Sequence, residues 1–151
     1  MLSLFKRKPL FAPHQQKQLL EAIRKAEKHT SGEVRVYVES RCKYVEPLDR
    51  AEEIFHDLKM YQTAERNAVL VYVAFKDHQL AIFADEGIHK KTGTEFWQKE
   101  VKQMLTHFNR KDYMQGLVTV ITEIGEALYT HFPYNPSSDK NELQDDIIFG
   151  K

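Results

Sequence analysis

The chain has 151 residues, 42% of them apolar, which suits one domain with a single buried core. Its 22 basic and 22 acidic residues give a formal net charge of zero, which excludes a general attraction to nucleic acid or to an anionic membrane. The lone cysteine, Cys42, cannot form an internal disulfide, and no apolar run approaches the roughly 20 residues of a membrane-spanning helix.

Residues 1–12 form a lead. Lys6, Arg7 and Lys8 are not followed by an apolar h-region, so no signal peptide is expected and a cytoplasmic location is. The folded domain is expected over 13–133. Pro13 opens a helix to about Thr30, with Leu19, Ile23 and Ala26 on one stripe and Gly32 as its stop. In the strand Glu33–Glu39, Val34, Val36 and Val38 alternate with Arg35, Tyr37 and Glu39. A second helix spans Asp49–Met60 and presents Ala51, Ile54, Phe55 and Leu58. The next strand, Asn67–Phe75, is almost continuously apolar, as a strand covered on both faces must be. A turn at 76–79 returns the chain as the antiparallel strand Leu80–Ala84.

Thr92 and Glu95 have capping-box spacing, which predicts a helix with Trp97, Val101, Met104, Leu105 and Phe108 inward. After a break at 109–111, Asp112 caps a last helix lined by Leu117, Ile121, Ile124 and Leu128, and Pro133 and Pro136 end the helical part. The tail, 134–151, is acidic and then apolar at Ile147, Ile148 and Phe149; it reads as loose, or as a short added strand. The order α-β-α-β-β-α-α predicts a three-layer α/β/α sandwich around a small mixed sheet.

No phosphate loop, HExxH or GxSxG motif is present, and the seven histidines lack zinc-ligand spacing. No residue is identified as catalytic. Cys42 lies between Arg41 and Lys43, cations that favour a thiolate, but no partner base is visible. Topology supplies two candidate sites. The expected pairing brings Glu33, Asp85 and Glu86 to one sheet edge, with Arg66 and Asn67 between them. Three carboxylates suit Ca2+ or Mg2+, which take oxygen ligands. Arg66 and Asn67 can instead contact a phosphate, or Arg66 can pair with Asp85. The opposite edge, where open α/β sheets usually bind ligands, carries Glu39 and Asp77 with Asp49 near; it is the second choice.

The stretches SGEVRVYVES, RNAVLVYVAFKDHQLAIFADEGI and NRKDYMQGLVTVITEIGEAL together resemble the TPM domain. The likeness covers about residues 14–132. It implies an α/β sandwich, divalent-cation binding, and the acid phosphatase activity of plant members. Other members serve assembly or repair, which implies a protein partner. Longer members carry Gly-x-Gly-Leu-Glu after the third strand, whereas this chain has Asp85-Glu86-Gly87-Ile88-His89, so only Gly87 and the position of the apolar residue match. Three readings follow: a cation-holding module for protein assembly, a weak metal-dependent phosphatase, and a metal-free interaction domain. Oligomeric state is left open.

Overall fold

The computed structural model describes residues 11–134 and 146–150. The expectations for the lead at 1–10, for Pro136 and for the acidic part of the tail lie outside the described residues. Five helices and four strands follow in the order α1 (Pro13–Glu27), β1 (Glu33–Glu39), α2 (Pro47–Asp57), β2 (Ala68–Ala74), β3 (Gln79–Ala84), α3 (Glu86–Thr92), α4 (Thr94–Asn109), α5 (Tyr113–His131) and β4 (Asp146–Phe149).

The sheet runs β3-β2-β1-β4. β1 pairs in parallel with β2 and with β4, and β2 pairs antiparallel with β3. All seven residues of β2 are buried. Val69, Val71 and Val73 face one core, which gathers Leu19 and Ile23 of α1, Met104 and Phe108 of α4, and Leu117, Ile121 and Ile124 of α5. Leu70, Tyr72 and Ala74 face the other, against Ala51, Ile54 and Phe55 of α2. The strand alternates its side chains, so a layer on each face makes every position apolar. Each fully buried Val or Leu is worth about 1.5–3 kcal/mol. The three-layer α/β/α arrangement with a mixed sheet stands as predicted. Among the described residues no helix is long and apolar enough to cross a membrane.

Three details depart from the sequence reading, and one open alternative is decided. α1 ends three residues early, because the Thr30 hydroxyl donates to Leu128 O at 3.1 Å and residue 30 bridges to Pro133 instead of continuing the helix. α2 begins at Pro47, which suits a first helical position. α3 was not foreseen. Asp85 caps it by accepting from the Glu86 N–H at 2.8 Å, and Gly93, at φ 80°, separates it from α4, so Thr92 is no cap. The apolar end of the tail is the added strand: Ile147 and Ile148 lie in register with Val36 and Tyr37.

Candidate functional site

The start-of-strand edge is built by register. Glu33 sits opposite Ala68, and the Asp85 N–H donates to Ala68 O at 3.0 Å, so Glu33 and Asp85 flank Ala68 in one row across the sheet. Both are buried, as is Asn67. Arg66 grips Asp85 with two parallel bonds, Nε to Oδ2 at 2.7 Å and Nη2 to Oδ1 at 2.9 Å, and its Nη1 lies 3.4 Å from Glu86 Oε1. This fork is the strong form of a charged hydrogen bond. The Asp85 hydrogen bonds hold the Arg66 guanidinium above its ordinary pKa; desolvation opposes them, and the charges of Asp85 and Glu86 add to them.

Beside this pair, Asn67 Nδ2 donates to Ser31 Oγ at 3.1 Å. Asn67 Oδ1 is buried with no hydrogen-bond partner among the described residues. Leaving such an acceptor unmatched costs about 1–3 kcal/mol. Gly87 is forced by close approach: a Cβ there would lie 2.0 Å from Glu65 O and 2.6 Å from Arg66 O, while its N–H donates to Arg66 O at 2.8 Å. The glycine therefore lets α3 pack directly on the turn that carries Arg66.

Of the predicted residues, Asp85, Glu86 and Arg66 come together directly. Glu33 stands two strands across from Asp85, with Asn67 next to its partner Ala68. Among the described residues no three of His, Cys, Asp and Glu gather as a metal site. The donor chemistry of the edge is hard oxygen and includes one orphaned buried acceptor, which fits a divalent cation. Its charge is at present balanced by a guanidinium.

The opposite edge is organised differently. Glu39 is buried and takes Arg50 in a fork, Nε to Oε2 at 2.9 Å and Nη2 to Oε1 at 3.0 Å. The buried Tyr72 hydroxyl donates to the same Oε2, and Arg50 also holds Glu53. Burial works to raise the Glu39 pKa, but the hydrogen bonds from Arg50 and Tyr72, with the Arg50 charge, outweigh it and hold the carboxyl below its usual range. Burial first, and then the Glu39 bond, push the Tyr72 phenol far up. Asp77 accepts from Arg41 Nη1 at 2.9 Å and from the Cys42 N–H at 2.7 Å. Asp49 is exposed in the first turn of α2 and takes no part in this network. A cavity of about 440 Å³ opens here between Glu39, Arg41, Lys43, Arg50, Glu53 and Lys76.

Sequence reasoning missed Arg50 and Tyr72, because the continuous apolar run marked Tyr72 as core and nothing local ties Arg50 to Glu39. It also missed a carboxyl pair between helices: Glu100 of α4, 2% exposed, faces Glu123 of α5. Burial, the Glu123 charge and a hydrogen bond with Glu123 push Glu100 up to about 7, against the pull of Lys99 and with a small push from Glu126. The sequence signal was available: Glu100 falls on the same helical stripe as Trp97 and Met104.

The TPM domain model matches residues 5–127 of the chain. Among solved structures, the NMR structure of the BA42 protein from the psychrophilic bacterium Bizionia argentinensis superposes with a TM-score of 0.87 at 36% identity, over 97% of this chain and 99% of that one. The N-terminal domain of a protein from P. gingivalis gives a TM-score of 0.66 at 14% identity, over 82% of this chain and 79% of that one. The N-terminal domain of cg2496 from Corynebacterium glutamicum gives 0.54 at 10% identity, over 92% of each chain. These last two show the fold alone. A comparison with curated proteins finds no match.

Proposed function

The chain belongs to the TPM domain family, and on that premise we propose that it is a binding module for protein assembly, taking up a divalent cation, Ca2+ or Mg2+, at the edge of Glu33, Asn67 and Asp85. The observation that carries this reading is the buried Asn67 Oδ1, which has no hydrogen-bond partner among the described residues. Glu33, Asn67 Oδ1 and Asp85 would hold the cation, with Glu86 at the exposed side; all are hard oxygen donors. The cation would supply positive charge to a buried acidic edge and stiffen the turns there. Arg66 supplies that charge in the structure, so uptake is an exchange in which Arg66 gives up Asp85.

A Ca2+ and Mg2+ titration followed by backbone NMR tests this. Shifts confined to residues near Glu33, Asn67 and Asp85–Gly87 are expected, and Arg66→Gln, which removes the competing charge, tightens binding by about tenfold, or 1.4 kcal/mol. An absence of shifts at millimolar cation in both proteins refutes the proposal.

The second reading is a weak metal-dependent phosphomonoesterase, favoured by the position of Arg66, whose side chain is 40% exposed at the acidic edge and so within reach of a phosphate. It requires phosphomonoester hydrolysis that survives purification and disappears in Glu33→Gln or Asp85→Asn. Activity persisting in both variants rules out this residue assignment.

A further inference from the structure

β1 and β2 run parallel and end together, with Glu39 opposite Ala74. The carboxyl ends of parallel strands are where open α/β sheets usually hold ligands. The ladder continues past both strands: the Phe75 N–H donates to Glu39 O at 3.0 Å, and the Lys76 N–H to Ser40 O at 2.9 Å. The loop after β1 and the turn after β2 are thereby fixed side by side. Asp77 fastens them a second time, accepting from Arg41 Nη1 and from the Cys42 N–H. Cys42 Sγ donates to Val45 O at 3.3 Å, and Tyr44 between them takes φ 71°. A non-glycine residue enters that region at a cost, and only where its surroundings hold it there. The loop so held places both Lys43 and Val45 on the wall of the cavity of about 440 Å³.

The wall is polar and cationic. Arg41 and Lys43 come from the loop, Arg50 from α2 and Lys76 from the turn, against the carboxylates of Glu39 and Glu53. Glu46 and Asp49, at the start of α2, are not among the lining residues. Buried Glu39 is taken by Arg50 and Tyr72, and Asp77 balances Arg41. Lys43 and Lys76 are then set against Glu53 alone, which leaves a surplus of one positive charge. Among the described residues no salt bridge involves Lys43 or Lys76. Arg41, with its side chain 54% exposed, bonds Asp77 through Nη1. Arg50 is held by its fork on Glu39, so its charge is in place before any ligand arrives.

We propose that this cavity is a binding site for a small organic carboxylate with a short, polar body. A surplus of one charge suits a single carboxylate better than a doubly charged phosphate. The two lysines supply point charges, and the donors of Arg41 not spent on Asp77 form a planar fork that matches the two oxygens of a carboxylate. The body of the ligand is polar because the wall is: Val45 is the one apolar residue among those lining the cavity, while Ser40 and Glu53 supply hydrogen-bonding groups. The volume falls within the roughly 300–1,000 Å³ of small-molecule sites. The site lies at the other end of the strands from the proposed cation and does not depend on it.

The test is an NMR titration of the full chain, in metal-free buffer, with lactate, glycerate and inorganic phosphate as probes and chloride at equal ionic strength as the control. Lactate and glycerate are expected to give saturable, millimolar shifts at the amides of residues 40–45 and 76–78 and at the Arg41 Nε–H. Lys43→Ala combined with Lys76→Ala, both at exposed positions, should weaken binding tenfold or more with Tm unchanged. Lys102→Ala, on α4 and outside this cavity, should leave binding as it is. The absence of saturable shifts with either carboxylate, or binding by the Lys43 and Lys76 double variant equal to the parent's, overturns the site. Phosphate binding more tightly than both carboxylates overturns the carboxylate assignment. The same shifts with chloride show only a response to ionic strength and overturn the site as well.

Discussion

Glu100 shows how burial, with a neighbouring carboxyl, Glu123, turns a side chain into a titrating group. A buried carboxyl facing a half-buried one is most favourable while one proton remains between them. The Glu100 pKa is raised to about 7 from an ordinary value of 4.5. The folded state therefore binds more protons than the unfolded state between those values, and stability falls as pH rises through that window. Glu100→Gln should be more stable than the parent above pH 7, by roughly 3 kcal/mol, since each tenfold change in proton affinity is worth about 1.4 kcal/mol, and the gap should close toward pH 4. Urea denaturation at pH 4.5 and pH 8 checks it; a gap that does not change with pH contradicts the shared proton. Gly87 makes a second prediction at this scale. Gly87→Ala forces the Glu65–Arg66 turn away from α3, since the added carbon meets backbone oxygen. A loss of about 2–4 kcal/mol is expected, with the Arg66–Asp85 pair disturbed, as read by thermal unfolding and by the Arg66 side-chain resonance. The sequence showed Gly87 as a turn residue, but not what it approaches, because Glu65 and Arg66 lie some twenty positions earlier in the chain.

Among the elements, those with strong periodicity were legible and those without were not. The valines of β1, the unbroken apolar run of β2 and the stripes of α4 and α5 each state their own burial pattern. α3 does not, because Ile88 is its single buried residue and its capping by Asp85 looks in sequence like part of a turn. β4 was legible as an alternative only, since a four-residue apolar segment gains its stability from the edge it joins. It is held by Ile147 against the core and by the Gly150 N–H, which donates to Val38 O at 2.6 Å. Gly150 also sits where a side chain would strike the Tyr37 ring, its Cβ 2.5 Å from the hydroxyl. Removing residues 146–151 should cost about 1–2 kcal/mol and lower Tm by roughly 2–8 °C, with faster amide exchange along β1. An unchanged Tm and unchanged β1 protection would mean that β4 adds nothing to the sheet.

At the scale of the molecule, one sheet carries three different edges. The start-of-strand edge holds buried oxygen donors balanced by Arg66. The opposite edge spends its carboxylates on Arg50, Tyr72 and Arg41, so Glu39 and Asp77 are committed to the fold. The β3 flank borders an apolar groove between the start of α2 and α4. Grouping Glu33, Arg66, Asn67 and Asp85 at one end was within reach of the sequence, because strand direction fixes which ends coincide. That Arg66 would claim Asp85 was not, since the choice between cation and guanidinium depends on side-chain reach across a turn. The most direct measurement is the Arg66 Nε–H resonance during a calcium titration of the intact protein. If the cation replaces Arg66 at Asp85, that proton loses its protection from solvent exchange and its resonance moves, in step with the Asn67 side-chain amide. If calcium binds while the Arg66 Nε–H signal keeps its position and protection, or if neither signal responds, the exchange at this edge is contradicted.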